Sequence, residues 1–345
     1  MCVKDTGTKY QLWISDFNID GTFTRVHPFI ISHTKTMTRT REDGKEEVFS
    51  ACIKSDDTRY LGGNKNSSVV AVKLQGRPRT GISYDKANEF CVNRGNWVTM
   101  IDYLEYCAIQ ALCYIEYASF DNQAALNTNL TSDGFKQGGL GAGVTNLNWD
   151  RWTVFNGNNP IVQTYWTAEH NIGNGSTNGD HYELDNYNTD GSNLSTYPAV
   201  YRGILNFFGD IWTFIRDVVI INRNANYNSV YLLKKGVNHS DVTIDNIQDK
   251  CYFIGDNANI NNFITEFDFR FGPYFVPNKV GTNKKADYNW IRGNNEQDTD
   301  KAVRVLLLGG YASSGSQAGS GDFYSHWVRS YSGASVGFFT TVKLD

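Results

Sequence analysis

The chain has 345 residues, with 32 Lys plus Arg against 36 Asp plus Glu and six cysteines. That length allows a sizeable core without disulfide or metal staples, and two or three domains or one domain carrying long insertions. A net charge of −4 and a pI near 5.9 argue against a dedicated nucleic-acid binder, which needs a basic face to match phosphate charge. Aromatics reach 14% and Asn makes up about a tenth of the chain, far above ordinary Asn usage. Such a composition suits loops and contact surfaces better than long helices.

Met1 to Gly7 carries no apolar signal-peptide core. The most apolar stretch, Phe207 to Ile221, contains Asp210, Arg216 and Asp217 and is too short and too charged to span a bilayer. The expectation is a soluble protein made in the cytosol, without membrane insertion. Cys2, Cys52, Cys91, Cys107, Cys113 and Cys251 lie singly, with no C-x-x-C pair. In a reducing compartment such cysteines read as free, buried thiols.

In chain order, residues 1–80 read as a β-rich N-terminal region. Tyr10–Ile14 and Val26–Ile31 have β-type composition, and the charged stretch Arg39–Glu47 reads as a hairpin tip or an exposed loop. A helix is predicted over Tyr84–Val92, capped by Ser83. From Thr99 onward, Ile101, Leu104, Ala108, Ala111, Leu112 and Ile115 recur at helical spacing, with Thr99 and Asp102 as a capping-box variant. Residues 121–200, dense in Asn, Gly, Ser and Thr, are too long for one connecting loop. Their tryptophans (Trp149, Trp152, Trp166) argue against disorder, so they read as a long ordered insertion in a domain running from 81 to 345. Strands are predicted again at 210–221, 230–233, 303–308 and 336–344.

Motifs for chemistry are weak. Gly138–Gly143 has phosphate-loop glycine density, but no helix pattern or G-K-[ST] follows. Asn186–Gly191 half-matches a calcium loop, yet its twelfth position is Tyr197 where a bidentate Glu belongs; an Asx-turn cluster fits better, and whether Ca²⁺ binds there stays open. The histidines (His27, His33, His170, His181, His239, His326) show no metal-ligand spacing, and no G-x-S-x-G elbow occurs. No catalytic residue, metal or cofactor is predicted, and the chain does not read as an enzyme.

Three stretches in order carry a more specific signal: His27-Pro28-Phe29 followed by Phe49–Ile53; Gly81–Cys91 with Asn93–Ile101; and Tyr201–Phe214. The chain then closes with Val305–Tyr311 and Ser335–Phe339. This series resembles the formylglycine-generating-enzyme branch of the C-type lectin fold. Gly209-Asp210-Ile211-Trp212-Thr213-Phe214 matches the branch motif G-N-V-W-E-W, with Asp for Asn and Thr-Phe for Glu-Trp. Leu308–Ala312 and Gly337–Phe339 match its late R-G-G-[SA]-W and G-F-R strands, with substitutions in each. Within that branch, Tyr201–Asn206 and Gly309–Gly319 are similar to phage tail and receptor-binding proteins, including diversity-generating-retroelement variable proteins.

The resemblance implies an α+β, C-type lectin-like fold with long irregular insertions and a β-rich N-terminal region. It implies a virion protein, in the tail or a fibre, assembled in the host cytoplasm. Its partners would be other virion proteins and a bacterial surface glycan or protein receptor, and it would be a homo-oligomer, a trimer. A purely structural virion component is the alternative. An oxidase of the same fold is disfavoured because no cysteine follows Cys251 to form the late pair that holds copper. The terminal segment is the predicted receptor-binding face: Tyr311, Ser313, Ser314, Gln317, Asp322, Tyr324, His326, Trp327, Arg329 and Tyr331, spaced by Gly and Ala, have the composition of an adaptable contact surface. Phe323 and Trp327 suit core or contact equally well. Trp212 reads as core, and Gly209 and Gly310 as tight turns.

Overall fold

A computed structural model describes residues 1–5, 10–13, 24–32, 34–49, 57–64, 78–121, 182–184, 194–196, 200–209, 211–223, 226–282, 287–291, 302–311, 314, 317–333 and 335–344. The architecture is α+β, with sheet predominating. Most of the 121–200 insertion, including Gly138–Gly143 and Asn186–Gly191, lies outside the described residues.

The two ends of the chain meet. Strand β1 (Phe29–Ile31) is followed by a hairpin of β2 (Met37–Thr40) and β3 (Glu46–Phe49), then helix α1 (Tyr84–Arg94), β4 (Val98–Met100) and helix α2 (Tyr103–Tyr117). The C-terminal strand, Thr340–Lys343, pairs antiparallel with both β1 and β4, setting Thr341 opposite Ile31 and Thr99. The predicted hairpin is present, its tip at residues 41–45. Lys35 and Arg79, each 1% exposed, help tie this N-terminal part to the rest. Lys35 Nζ donates to the Asn206 carbonyl at 2.7 Å, and Arg79 N–H donates to Thr36 O at 2.8 Å.

Helix α1 starts as its sequence dictates. Ser83 Oγ accepts from Lys86 N at 3.3 Å, and Gly95, at φ 150°, ends the helix with its N–H on Cys91 O. Helix α2 departs from the sequence reading in two ways. Thr99 is a strand residue, because its neighbours Val98 and Met100 alternate into the core while the strand pairs with the C-terminus. The cap is Asp102, in a reciprocal capping box with Glu105. The buried face is also rotated from the aliphatic one predicted: Ile115 is exposed, whereas Tyr103, Tyr106, Cys107, Gln110, Ala111 and Tyr114 are buried. Tyrosines supply this face because buried hydroxyls can find partners; Tyr103 Oη donates to Phe275 O at 2.8 Å.

The second half builds one nine-stranded sheet. Its strands are β5 (Trp212–Asn222), β6 (Tyr227–Leu233), β7 (Cys251–Ala258), β8 (Asn262–Asp268), β9 (Val276–Gly281), β10 (Tyr288–Trp290), β11 (Arg304–Leu308), β12 (Phe323–Tyr324) and β13 (Val336–Gly337). The order is β7-β6-β5-β11-β12-β10-β8-β9, with β13 running parallel beside β5. The closing strand Thr340–Lys343 becomes β14. The sheet curls back on itself: Asn257 of β7 donates to Pro277 O of β9 at 3.2 Å and to Asn289 Oδ1 of β10 at 2.8 Å.

Strand β11 shows where the core sits. All five of its residues are buried, as expected of a strand covered on both faces. Leu306 and Leu308 join the cluster under α2, with Tyr106, Phe207 and Phe323. Val305 and Leu307 join the cluster under α1, with Phe90, Trp212 and Phe338. Cys91, Cys107, Cys113 and Cys251 are free and buried, and burial pushes each thiol above its ordinary range.

Candidate functional site

Strand β12 inserts between β11 and β10, setting Phe323 opposite Leu308 and Tyr324 opposite both Leu307 and Trp290. Period-two alternation then sends Phe323 into the α2 core, fully buried, and turns Tyr324 to the opposite face. The chain beyond is pinned along the sheet. Ser325 N–H donates to Trp290 O at 2.9 Å, Arg304 donates to the His326 carbonyl, and Val305 N–H donates to Trp327 O at 3.0 Å.

These constraints enclose a cavity of about 490 Å³ walled by aromatic rings. Trp212 lies 4.9 Å from Tyr324 and 6.1 Å from Tyr311, ring centre to ring centre. Trp327 and Tyr331 stack at 4.2 Å and 3°, His326 sits 4.3 Å from Trp327, and Trp290 closes the wall beside Tyr324. Trp327 hydrogen-bonds Tyr324 and Tyr331 hydrogen-bonds Ser335; burial raises both phenols well clear of neutral pH, so they stay protonated. Asn261 forms part of the rim, its Oδ1 accepting from Ile291 N at 2.6 Å. Buried Asn228, Asn257, Asn259 and Asn289 are linked beneath it through side-chain amides. Part of the asparagine excess is therefore structural.

Of the predicted contact residues, the structure gathers Tyr311, Ser314, Gln317, Tyr324, His326, Trp327 and Tyr331 around this cavity. Ser313 lies outside the described residues. Asp322 does not face the cavity wall; it is fully buried, its neighbours being Gly310 and Ala318. Arg329 turns away to pair with Asp85 at the start of α1. Trp212, Trp290, Asn261 and Ile291 were not anticipated as lining residues. Trp212 is both core and cavity wall, a dual role that its apolar strand setting concealed. Trp290, on a short strand between polar segments, offers no sequence signal beyond being a tryptophan.

A larger cleft of about 940 Å³ lies at the start of α1, where Arg329 meets Asp85, and is polar, with Asp102, Arg216, Asp217 and Lys343 among its walls. Much of that charge is committed to the fold. Asp217 Oδ1 accepts from Tyr103 N at 2.8 Å, and Asp102 takes Arg216 at 3.3 Å and Lys343 at 2.8 Å. Burial, with Asp102 close by, raises Asp217 above the ordinary aspartate range, and Glu105 rises for the same two reasons. His239 also borders the cleft, held neutral by burial with its pKa down to about 4.

Among the described residues, no group of three or more His, Cys, Asp or Glu is placed to hold a metal. No described helix is long and apolar enough to cross a membrane. No protein-family model matches the chain, and no curated protein matches it.

Proposed function

We propose that this chain is a bacteriophage virion protein, of the tail or a fibre, that binds a receptor on the bacterial surface through the face built by residues 311–331. On this reading the fold is C-type lectin-like. Three features support that: the pairing of β1 and β4 with the C-terminal strand β14, the two helices between β1 and β5, and a second, larger sheet formed by the later strands. The observation that carries the functional reading is the cavity itself. Seven of the predicted contact residues converge on a concave surface walled by tryptophan and tyrosine, the residue types that dominate binding hot spots. The same reading makes the protein a homotrimer assembled with other virion proteins in the host cytoplasm. Several copies would then raise a modest single-site affinity by avidity.

The test is binding of labelled protein to candidate host cells, comparing wild type with a Tyr324→Ala/Trp327→Ala variant whose melting curve stays cooperative. Saturable binding that the variant loses supports an adhesin. No binding by either form, with the protein still incorporated into particles, points instead to a purely structural virion component.

A further inference from the structure

We propose that the aromatic cavity takes an uncharged sugar ring from a neutral surface glycan, held by stacking and amide hydrogen bonds without a metal ion. This rests on the receptor-binding reading above and commits it to one ligand chemistry.

The argument begins with charge. Among the described residues, those bordering the cavity include no Lys, Arg, Asp or Glu. A phosphate, sialate or uronate placed there would shed its hydration with no counter-charge to replace it, at a cost of several kcal/mol for a buried ion. The ligand is therefore neutral, or a cation stabilised by ring faces alone.

Hydrogen-bond inventory separates those two. The hydroxyl oxygens of Tyr324 and Tyr331 accept from Trp327 and Ser335, which leaves their own O–H groups to donate. Three further residues add side-chain donors that have no acceptor among the described residues. The Trp290 indole N–H is buried and unpaired. Asn261 commits its Oδ1 to Ile291, leaving its Nδ2, and the Gln317 amide stands at the rim. An unsatisfied buried donor costs about 1–3 kcal/mol, so a ligand that brings oxygen acceptors gains where a quaternary ammonium group, which has none, does not.

Shape agrees. Trp327 and Tyr331 stack on each other within 3°, so each covers one face of the other, and the outward face of this rigid stack is the plate on which a sugar would lie. Aromatic faces carry partial negative charge and attract the weakly positive C–H face of a pyranose. A cavity of about 490 Å³ falls within the range of small-ligand sites, about 300–1,000 Å³, with room for a short saccharide. A sugar combines one C–H face for the plate with peripheral hydroxyls for Trp290, Asn261 and Gln317.

The experiment titrates the purified full-length protein, by tryptophan fluorescence and calorimetry, with neutral hexose and N-acetylhexosamine oligosaccharides. Sialylated and phosphorylated counterparts and phosphocholine are run in parallel, with and without EDTA. Binding confined to neutral saccharides and unchanged by EDTA is expected. Trp327→Ala should weaken it by about tenfold or more, whereas Trp327→Phe, which keeps a ring and the packing, should retain most of it. Trp290→Phe, which removes the indole N–H together with part of the ring, should weaken it several-fold, and by more than Trp327→Phe does. Preference for charged saccharides or phosphocholine, or loss of binding in EDTA, overturns the proposal. A cell-binding arm separates it from the function beneath it. Adhesion abolished by periodate oxidation of the cells supports the sugar. Adhesion that survives periodate but is lost after protease overturns the sugar and leaves receptor binding standing. Absence of adhesion in every arm removes both.

Discussion

Asp322 and Asp287 are both buried, 0% and 3% exposed, and Asp287 adds to the cost of ionising Asp322. Asp287 Oδ2 accepts from Tyr114 Oη at 2.6 Å, whereas neither oxygen of Asp322 has a partner among the described residues. Burial lifts Asp287 from the ordinary 3.8 to about 7 despite the Tyr114 bond. Burial first, and then Asp287, lifts Asp322 well above the usual range. The other titratable groups facing the pair are tyrosines, Tyr106 and Tyr114 on α2 with Tyr288 and Tyr324 on the sheet, and Asp121 beyond the end of α2.

The sign of the pH effect follows. Both acids are neutral in the fold and ionise on unfolding, so the native state binds more protons above the unfolded value. Their contribution is fully present below about pH 4 and is lost as pH rises toward the folded value. Each proton is worth about 1.4 kcal/mol per pH unit, so the shift of Asp287 from 3.8 to about 7 removes roughly 4 kcal/mol across that window. Asp322→Asn replaces a neutral acid by a neutral amide of nearly the same shape, which has no proton to lose. The variant should match wild type near pH 4 and exceed it increasingly up to pH 8. Urea titrations followed by tryptophan fluorescence from pH 4 to 9 read this out. Taking the difference between the two proteins cancels groups such as Glu116, which Arg202 holds below its usual range and which acts on the acid side. A difference that stays flat with pH, or a variant less stable at pH 8, would refute a neutral, proton-bound pair.

Two further outcomes test the geometry around this site. Gly310→Ala should lower the melting temperature more than Gly44→Ala. Both glycines have positive φ, +72° and +78°, but only at Gly310 would a Cβ meet other atoms, 2.7 Å from Asp322 Oδ2 and 3.0 Å from Ala318 Cβ. The shared backbone strain costs about 1–2 kcal/mol, and overpacking adds about 1–3 kcal/mol at Gly310 alone; equal losses in differential scanning calorimetry would contradict it. Arg329→Ala should leave ligand binding at the aromatic cavity within twofold and stability within about 1 kcal/mol, since its partner Asp85 is a solvent-exposed carboxylate. A large loss of binding measured by the same fluorescence titration would return Arg329 to the contact face.

What the sequence revealed, and what it hid, follows from how far each signal reaches. The start of helix α1 was legible because the Ser83 cap acts within three residues; its end at Arg94, before Gly95, lies two residues past the predicted one. The α2 cap was misplaced because Thr99 satisfies a local capping pattern while its partner Thr341 lies at the other end of the chain. Strands β7 to β10 escaped notice because asparagines such as Asn257 and Asn289 suit loops better than strands. They are tolerated inside a sheet only through amide bonds to one another and to backbone carbonyls. The terminal face was legible as a composition, aromatic rings spaced by glycine. Which residues face outward depended on the alternation that β12 acquires only by pairing with β11 and β10. That pairing buries Phe323 and frees Tyr324, and no property of either residue alone distinguishes them.

The cavity walls come from two sources with different freedom to change. Trp212 and Trp290 belong to strands, and Trp212 also fills the α1 core among Phe214, Val336 and Phe338. Replacing it forfeits core packing, about 3–5 kcal/mol for a large aromatic, whatever the ligand. Tyr311, Ser314 and Gln317 come from the glycine-rich segment, where side chains touch the cavity without anchoring a strand. Ser314 is nonetheless buried, with its Oγ accepting from Tyr311 N at 3.1 Å, and Tyr311 packs beside Trp212, which leaves Gln317 as the position freest to change. On the proposed reading, specificity belongs to such rim positions, and affinity, which needs rigid rings held by the sheet, belongs to the tryptophan floor.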